Sequence, residues 1–148
     1  MAAILIDTNV LVYAHDHEAP AKQMQAIRVL ERLYNAGNGR LSAQCLAEFF
    51  RVTTRAAKPI LTQREAMQQV ERLARVWPVY DVTPLIVIEA ARGARDHQLP
   101  YWDAQIWATA RLNQVPVVFS EDFNTGSVLE GIRFVNPFAG DFFLSAWG

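Results

Sequence analysis

Cysteine is almost absent from this chain, and the single thiol, Cys45, excludes an internal disulfide and a cysteine metal cage. Lysine is nearly as scarce. Lys22 and Lys58 are the only lysines among 14 basic residues, and the rest are arginines. A flat guanidinium fork grips phosphate oxygens better than an ammonium point charge. Arginine-favouring codons in a GC-rich genome would leave the same composition. The net charge of −1 excludes a broad electrostatic attraction to nucleic acid but permits a local basic rim. No apolar run approaches the roughly 20 residues of a membrane-spanning helix. The first apolar run is short, lacks a basic start and stops at Asp7, so no secretory signal is expected and the chain reads as soluble and cytoplasmic. No internal repeat or low-complexity tract is present.

What is there suits one folded unit over residues 1–148. The chain is 51% hydrophobic and 20% charged, enough apolar material for a core. Ala2 to Ile6 is a continuous apolar run, the pattern of a strand buried on both faces in a parallel sheet. Asp7-Thr8-Asn9 then starts a helix. Pro20 opens a longer one, with Ile27, Leu30, Leu33 and Tyr34 at helical spacing, ended by Gly37 to Gly39. Arg40 to Ser42 reads as a short strand or connector, and Ser42 caps a helix running to about Arg55. Thr62 caps the next, with Met67, Val70, Leu73 and Ala74 on its inner side. Trp77 to Val82 reads as a strand, and Pro78 argues for an edge position or a late start. Thr83-Pro84 opens a helix to about His97, and another follows from Leu99-Pro100 to Asn113. Strands over residues 116–119 and 132–135 complete the pattern. Strands alternating with helices predict an α/β domain with helices on both faces of a central, mainly parallel sheet of four to five strands.

Four acids stand at special places in this pattern. Asp7 and Asp122 each follow an apolar strand, and in an open parallel sheet sites form beyond the carboxyl ends of the strands. Asp103 falls in the first turn of its helix, where the helix dipole favours a carboxylate. Glu48 shares a helical face with Gln44, Arg51 and Arg55, opposite Leu46, Phe49 and Phe50. Taken singly, each has an ordinary explanation: a cap for Asp7 and Asp103, a turn for Asp122, a solvated charge paired to Arg51 for Glu48. Taken together, four carboxylates in one pocket would repel unless a cation neutralised them. A set of hard oxygen donors suits Mg²⁺ or Mn²⁺ rather than zinc. His15-Asp16-His17 does not make a second site, because alternate residues point apart.

The segments carrying these acids resemble the PIN domain, and within it the VapC-type toxins of bacterial toxin–antitoxin pairs. They are Ile6 to Ala14, Leu46 to Val52, Trp102-Asp103-Ala104, and Phe119 to Phe123, in the family's order and over nearly the whole chain. The resemblance implies a three-layer α/β/α fold and a ribonuclease dependent on one or two Mg²⁺ or Mn²⁺ ions. It also implies an RNA substrate, a cognate antitoxin and a homodimer. Asp7, Glu48, Asp103 and Asp122 match the four acidic positions, expected as catalytic residues and metal ligands. Asn9 matches a polar residue supporting the first acid, Ser120 a hydroxyl position before the last, and Thr8 stands beside the site. Glu121 and Asp122 compete for the fourth position, and Asp122, directly before Phe123, is preferred.

Substrate contacts would come from the rim, with Arg51 and Arg55 as one arginine pair and Arg92 and Arg95 as another. The alternative for the arginines is surface ion pairing, for instance Glu89 with Arg92. Tyr13, Tyr101 and Trp102 are candidates to stack on bases. The competing reading of the whole chain is a catalytically inert PIN-like module that binds RNA or protein. The apolar tail, Phe142 to Trp147, is expected either on the core or at an interface.

Overall fold

The expected strand that ends on Asp7 is β1, Ile4–Ile6, and all three of its residues are buried. In this computed structural model, which describes residues 1–147, it lies in the middle of a six-stranded sheet. The other strands are β2 (Gly39–Ser42), β3 (Val79–Tyr80), β4 (Val117–Phe119), β5 (Val128–Leu129) and β6 (Ile132–Val135). The order across the sheet is β3-β2-β1-β4-β6-β5, parallel throughout except for the β5–β6 hairpin. The sixth strand was not expected. β5 has only two residues, too few for an alternating pattern, and its hairpin turns through Glu130 and Gly131, both at positive φ (48° and 85°). That pair of left-handed residues is what a two-residue primed turn needs.

The helices are α1 (Thr8–Tyr13), α2 (Pro20–Ala36), α3 (Ala43–Thr54), α4 (Gln63–Val76), α5 (Pro84–His97) and α6 (Tyr101–Leu112), with a closing 3₁₀ turn over Leu144–Trp147. β1 and β4 are buried along their whole length, so both faces of the sheet centre are covered. Several local signals act as read. Ser42 accepts from the Cys45 amide, Thr62 and Glu65 close a reciprocal capping box, and Thr83 accepts from the Ile86 amide. Gly37, at φ 73°, ends α2 in the left-handed conformation.

Two helical faces are rotated from the expectation. On α2 the buried residues are Ala26, Val29 and Leu33, while Ile27 and Tyr34 are exposed. Tyr34 instead meets Trp77 edge-on at 5.9 Å. On α4 the buried residue is Ala66, Val70 and Leu73 are partly covered, and Met67 and Ala74 face outwards. In both helices an alanine is fully buried, and a scan for large apolar residues passes over it. Tight packing recurs at Gly93, where a Cβ would sit 2.5 Å from the Trp107 ring. Only glycine lets α5 lie this close to the buried Trp107 of α6.

Among the described residues, no helix is long and apolar enough to cross a membrane. The tail packs on the core. Phe119 receives Phe142 and Trp147 edge-on at 5.5 and 5.2 Å, and Arg133 lies over the Trp147 ring. Phe143 alone of the tail aromatics is left largely exposed.

Candidate active site

The register of two neighbouring strands builds the centre of the site. Ile6 pairs with Phe119, so the residues that follow, Asp7 and Ser120, leave the sheet side by side. The chain winds outward from β1 through β2 and β3, then returns to place β4 on the other side of β1. The crevice outside the carboxyl ends of β1 and β4 is therefore the topological switch point, where open α/β sheets bind ligands.

Asp7 is buried and caps α1. Its Oδ1 accepts from the Thr8 amide at 2.8 Å, and its Oδ2 accepts from Ser120 Oγ at 2.7 Å. Burial pushes its pKa up to about 7. The Ser120 and Thr8 hydrogen bonds oppose that rise, while the charges of Asp122 and Glu48 add to it. Asp103, half-buried at the start of α6, is also raised, by burial first and then by the charges of Asp122 and Glu48. Four carboxylates from four distant segments thus share one electrostatic environment.

Each remaining acid is aimed by a polar neighbour. Thr8 Oγ1 donates to Glu48 Oε2 at 3.0 Å, and Gln44 Nε2 donates to Glu48 Oε1 at 2.6 Å. Asp7 is the cap of α1, and the Thr8 hydroxyl ties α1 to α3. Asn9, expected to support the first acid, reaches it through a hydroxyl: it donates to Ser120 Oγ at 3.1 Å, which donates to Asp7, and it also donates to Asp122 Oδ2 at 3.2 Å. The Asp122 amide donates to Ser120 Oγ, so one buried hydroxyl contacts Asp7, Asn9 and Asp122 together. Phe123, stacked on Phe134 at 4.0 Å, anchors the loop beyond. Glu121 turns the other way, accepting from Tyr13 Oη at 2.6 Å and pairing with Lys22 at 2.9 Å. That engagement leaves Asp122 as the acid facing the cluster.

A relay of amides behind Glu48 was not anticipated. Tyr101 Oη donates to Gln105, Gln105 donates to Gln44, and Gln44 donates both to Glu48 and to the carbonyl of Trp102. Gln44 and Gln105 are both buried. The available signal was the four-residue spacing of Gln44 with Glu48 and of Tyr101 with Gln105; nothing in the sequence joins one pair to the other.

The arginine candidates divide. Arg92 donates to Glu89, Glu130 and Asp96 at 2.6, 3.0 and 3.3 Å, and Arg95 pairs with Asp96 at 2.7 Å. The surface ion-pairing alternative describes both. Arg51, on the Glu48 face of α3, and Arg55, the residue that caps the end of that helix, both stand exposed. His15 packs edge-on against Phe49, and His17 meets Gln23, so the two histidines do not converge. Cys45 is buried against Ser42, and burial pushes its thiol up to about 12, which makes it inert.

Among the described residues, no three His, Cys, Asp or Glu side chains stand close enough to cage a metal between them. The donor set nevertheless fits a hard divalent cation. Mg²⁺ keeps several waters and binds through one or two carboxylates rather than an all-protein cage. A cation near Asp7 would also offset the burial, and the neighbouring charges, that raise its pKa.

A model of the PIN domain family matches residues 4–127. No curated protein matches the chain in sequence. Solved structures share the fold at low identity, three of them as follows. A toxin–antitoxin complex from Klebsiella pneumoniae is 17% identical, with a TM-score of 0.66 over 92% of this chain and 98% of that one. A DNA-bound VapBC complex from Salmonella typhimurium is 22% identical, with a TM-score of 0.63 over 90% and 97%. A VapC toxin of Mycobacterium tuberculosis that cleaves the sarcin–ricin loop is 20% identical, with a TM-score of 0.63 over 81% and 92%.

Proposed function

The chain belongs to the PIN domain family, and from that membership we propose that it is a Mg²⁺- or Mn²⁺-dependent endoribonuclease acting as the toxin of a toxin–antitoxin pair. The observation that carries this reading is the state of Asp7. It is a buried carboxylate at a sheet switch point, raised to about 7, with the charges of Glu48 and Asp122 bearing on it. Such an arrangement is unfavourable in isolation and becomes favourable when a cation is held.

Asp7 and Asp103 are the principal ligands in this proposal, with Glu48 and Asp122 completing the shell directly or through water. When bound, the ion lowers the pKa of a coordinated water and neutralises phosphate charge. The chain's own residues do the positioning. Ser120 and the Thr8 amide fix Asp7, Thr8 and Gln44 fix Glu48, and Asn9 fixes Asp122. The toxin–antitoxin complexes of similar fold support an antitoxin partner, and the family supports a second copy of the chain as its dimer mate.

The rival reading is an inert PIN-like module that binds RNA or protein, which would keep the fold without metal-dependent cleavage. Incubation of the purified protein with RNA separates the two. Cleavage with Mn²⁺ or Mg²⁺ that EDTA abolishes supports the nuclease, and intact RNA under every metal condition rejects it. Growth arrest on expression, relieved by the product of an adjacent small gene, tests the toxin role.

A further inference from the structure

Asp122 stands on the least regular ground of the four acids. Asp7 caps α1, and Glu48 and Asp103 lie within α3 and α6, whereas Asp122 is exposed in the irregular turn after β4. Among the described residues, Glu121, Asp122 and Phe123 make no backbone–backbone hydrogen bond. A loop site is less precise than one on a helix or strand unless its neighbours lock it. Side chains must therefore hold this turn.

The polar side chains that reach the turn from outside come chiefly from α1. Asn9 donates to Asp122 Oδ2 at 3.2 Å, and Asn9 Oδ1 accepts from the Glu121 amide at 3.4 Å. Four residues on, along the same helical face, Tyr13 Oη donates to Glu121 Oε1 at 2.6 Å. The same six-residue helix begins at Asp7. It is thus a splint, with the first acid at its N-terminus and two grips on the turn of the fourth along its side. Lys22 of α2 closes the arrangement, donating to Glu121 Oε2 at 2.9 Å and to Tyr13 Oη at 3.2 Å. Both carboxylate oxygens of Glu121 are therefore taken. The Tyr13 ring is itself fixed, edge-on to Phe138 at 5.1 Å and with Lys22 Nζ 4.8 Å from its centroid. A ring held in this way delivers its hydroxyl to one place, and it is engaged by the protein rather than offered to an RNA base.

Resting on the nuclease reading, in which Asp122 completes the metal shell, we propose that Tyr13 is a positioning residue: through Glu121 it sets where Asp122 stands relative to Asp7. Glu121 is then the handle by which the turn is held. Lys22 offsets the charge of that handle, which is a fifth carboxylate beside four others.

The test measures Mn²⁺ binding to the full-length protein by calorimetry, kcat and KM on a mixed-sequence single-stranded RNA, and urea melts. Tyr13→Phe removes the hydroxyl and leaves the ring. It should weaken Mn²⁺ binding and lower kcat, each about 10-fold, with KM for RNA unchanged. Glu121→Ala should reproduce both losses. Glu121→Gln keeps an acceptor for Tyr13 and should return both to within a few-fold of the parent. Adding Tyr13→Phe to Glu121→Ala should cost nothing further, because the two residues act through one bond. A general loss of stability would produce neither the glutamine rescue nor this non-additivity. A Tyr13→Phe protein that binds Mn²⁺ and cleaves like the parent would overturn the inference and leave the nuclease standing. A raised KM with parental kcat would make Tyr13 a substrate contact and also overturn it. A parent that neither binds Mn²⁺ nor cleaves RNA rejects the nuclease reading, and this inference with it.

Discussion

Gln44 Nε2 bonds at once to the Glu48 carboxylate, at 2.6 Å, and to the Trp102 carbonyl, at 3.0 Å. One buried amide thus couples the acid of α3 to the peptide immediately before Asp103 on α6. Its own oxygen is taken by Gln105, so the group has no freedom to turn over.

Gln44→Ala should lower cleavage about 10- to 100-fold, the usual effect of removing a partner that orients a ligand. The loss should fall on kcat, with KM for RNA nearly unchanged, because Gln44 holds Glu48 rather than substrate. Circular dichroism should show the fold retained. A parental kcat in the variant would mean that Thr8 alone suffices to orient Glu48.

Asp7→Asn should abolish metal-dependent cleavage and raise the stability of the metal-free protein. The pH dependence fixes the sign. Asp7 has a native pKa of about 7, above its unfolded value near 3.8, so the native state binds the proton more tightly. Its contribution is full below the unfolded value and is lost as pH rises towards 7. In EDTA the parent should therefore gain stability as pH falls from about 7.5 to 5, by roughly 2–3 kcal/mol from this group. The asparagine variant should lose most of that slope. Glu130 runs the opposite way in a separate window. The hydrogen bond from Arg92 and then that from His97 hold its pKa down at about 2, so its contribution fades only as pH drops below about 4.5. Urea melts across pH check both, and a flat profile for the parent would reject the Asp7 assignment.

Glu121 and Asp122 are adjacent, and sequence alone favours Asp122 only through Phe123. The structure separates them by partner: Tyr13 and Lys22 for Glu121, Asn9 and Ser120 for Asp122. Asp122→Asn should cut cleavage by two orders of magnitude or more. Glu121→Gln should leave it within a few-fold and cost under about 1 kcal/mol, as for a partly exposed ion pair. The reverse ranking in a side-by-side cleavage assay would exchange their roles.

Much of this site was legible because it rests on strand ends. An apolar run that stops at an acid fixes both the strand and the direction in which the acid leaves it, and this located Asp7 and Asp122. Asp103 and Glu48 were legible as helix positions. What connects them was not. That Ser120 serves Asp7 and Asp122 together depends on β1 and β4 being neighbours in register, and the Gln44–Gln105 bond joins residues 61 apart. The arginines were ambiguous for the same reason. In the sequence Arg92 is an arginine on a helix like Arg51, and only the fold brings Glu130, 38 residues away, to bind it.

That network yields a stability prediction with no consequence for catalysis. Glu89 is largely covered, accepts from both Arg92 and Arg111, and so clamps α5 to α6. The hydrogen bond from Arg92, reinforced by that from Arg111, holds its pKa below the usual glutamate value. Glu89→Ala should destabilise by about 1–3 kcal/mol, because it removes two charge-assisted bonds and leaves Arg111 with only a 3.8 Å contact to Glu130. Arg92→Ala should cost less, since Arg111 keeps Glu89. Its cation–π contact over Trp107, at 5.5 Å, adds a modest further loss. Neither change should alter RNA affinity, as neither residue lines the open groove that Glu48, Arg51 and Trp102 share beside the acids. Denaturant melts and RNA titrations on the same preparations decide it. An Arg92→Ala variant with normal stability and weakened RNA binding would return Arg92 to the substrate rim.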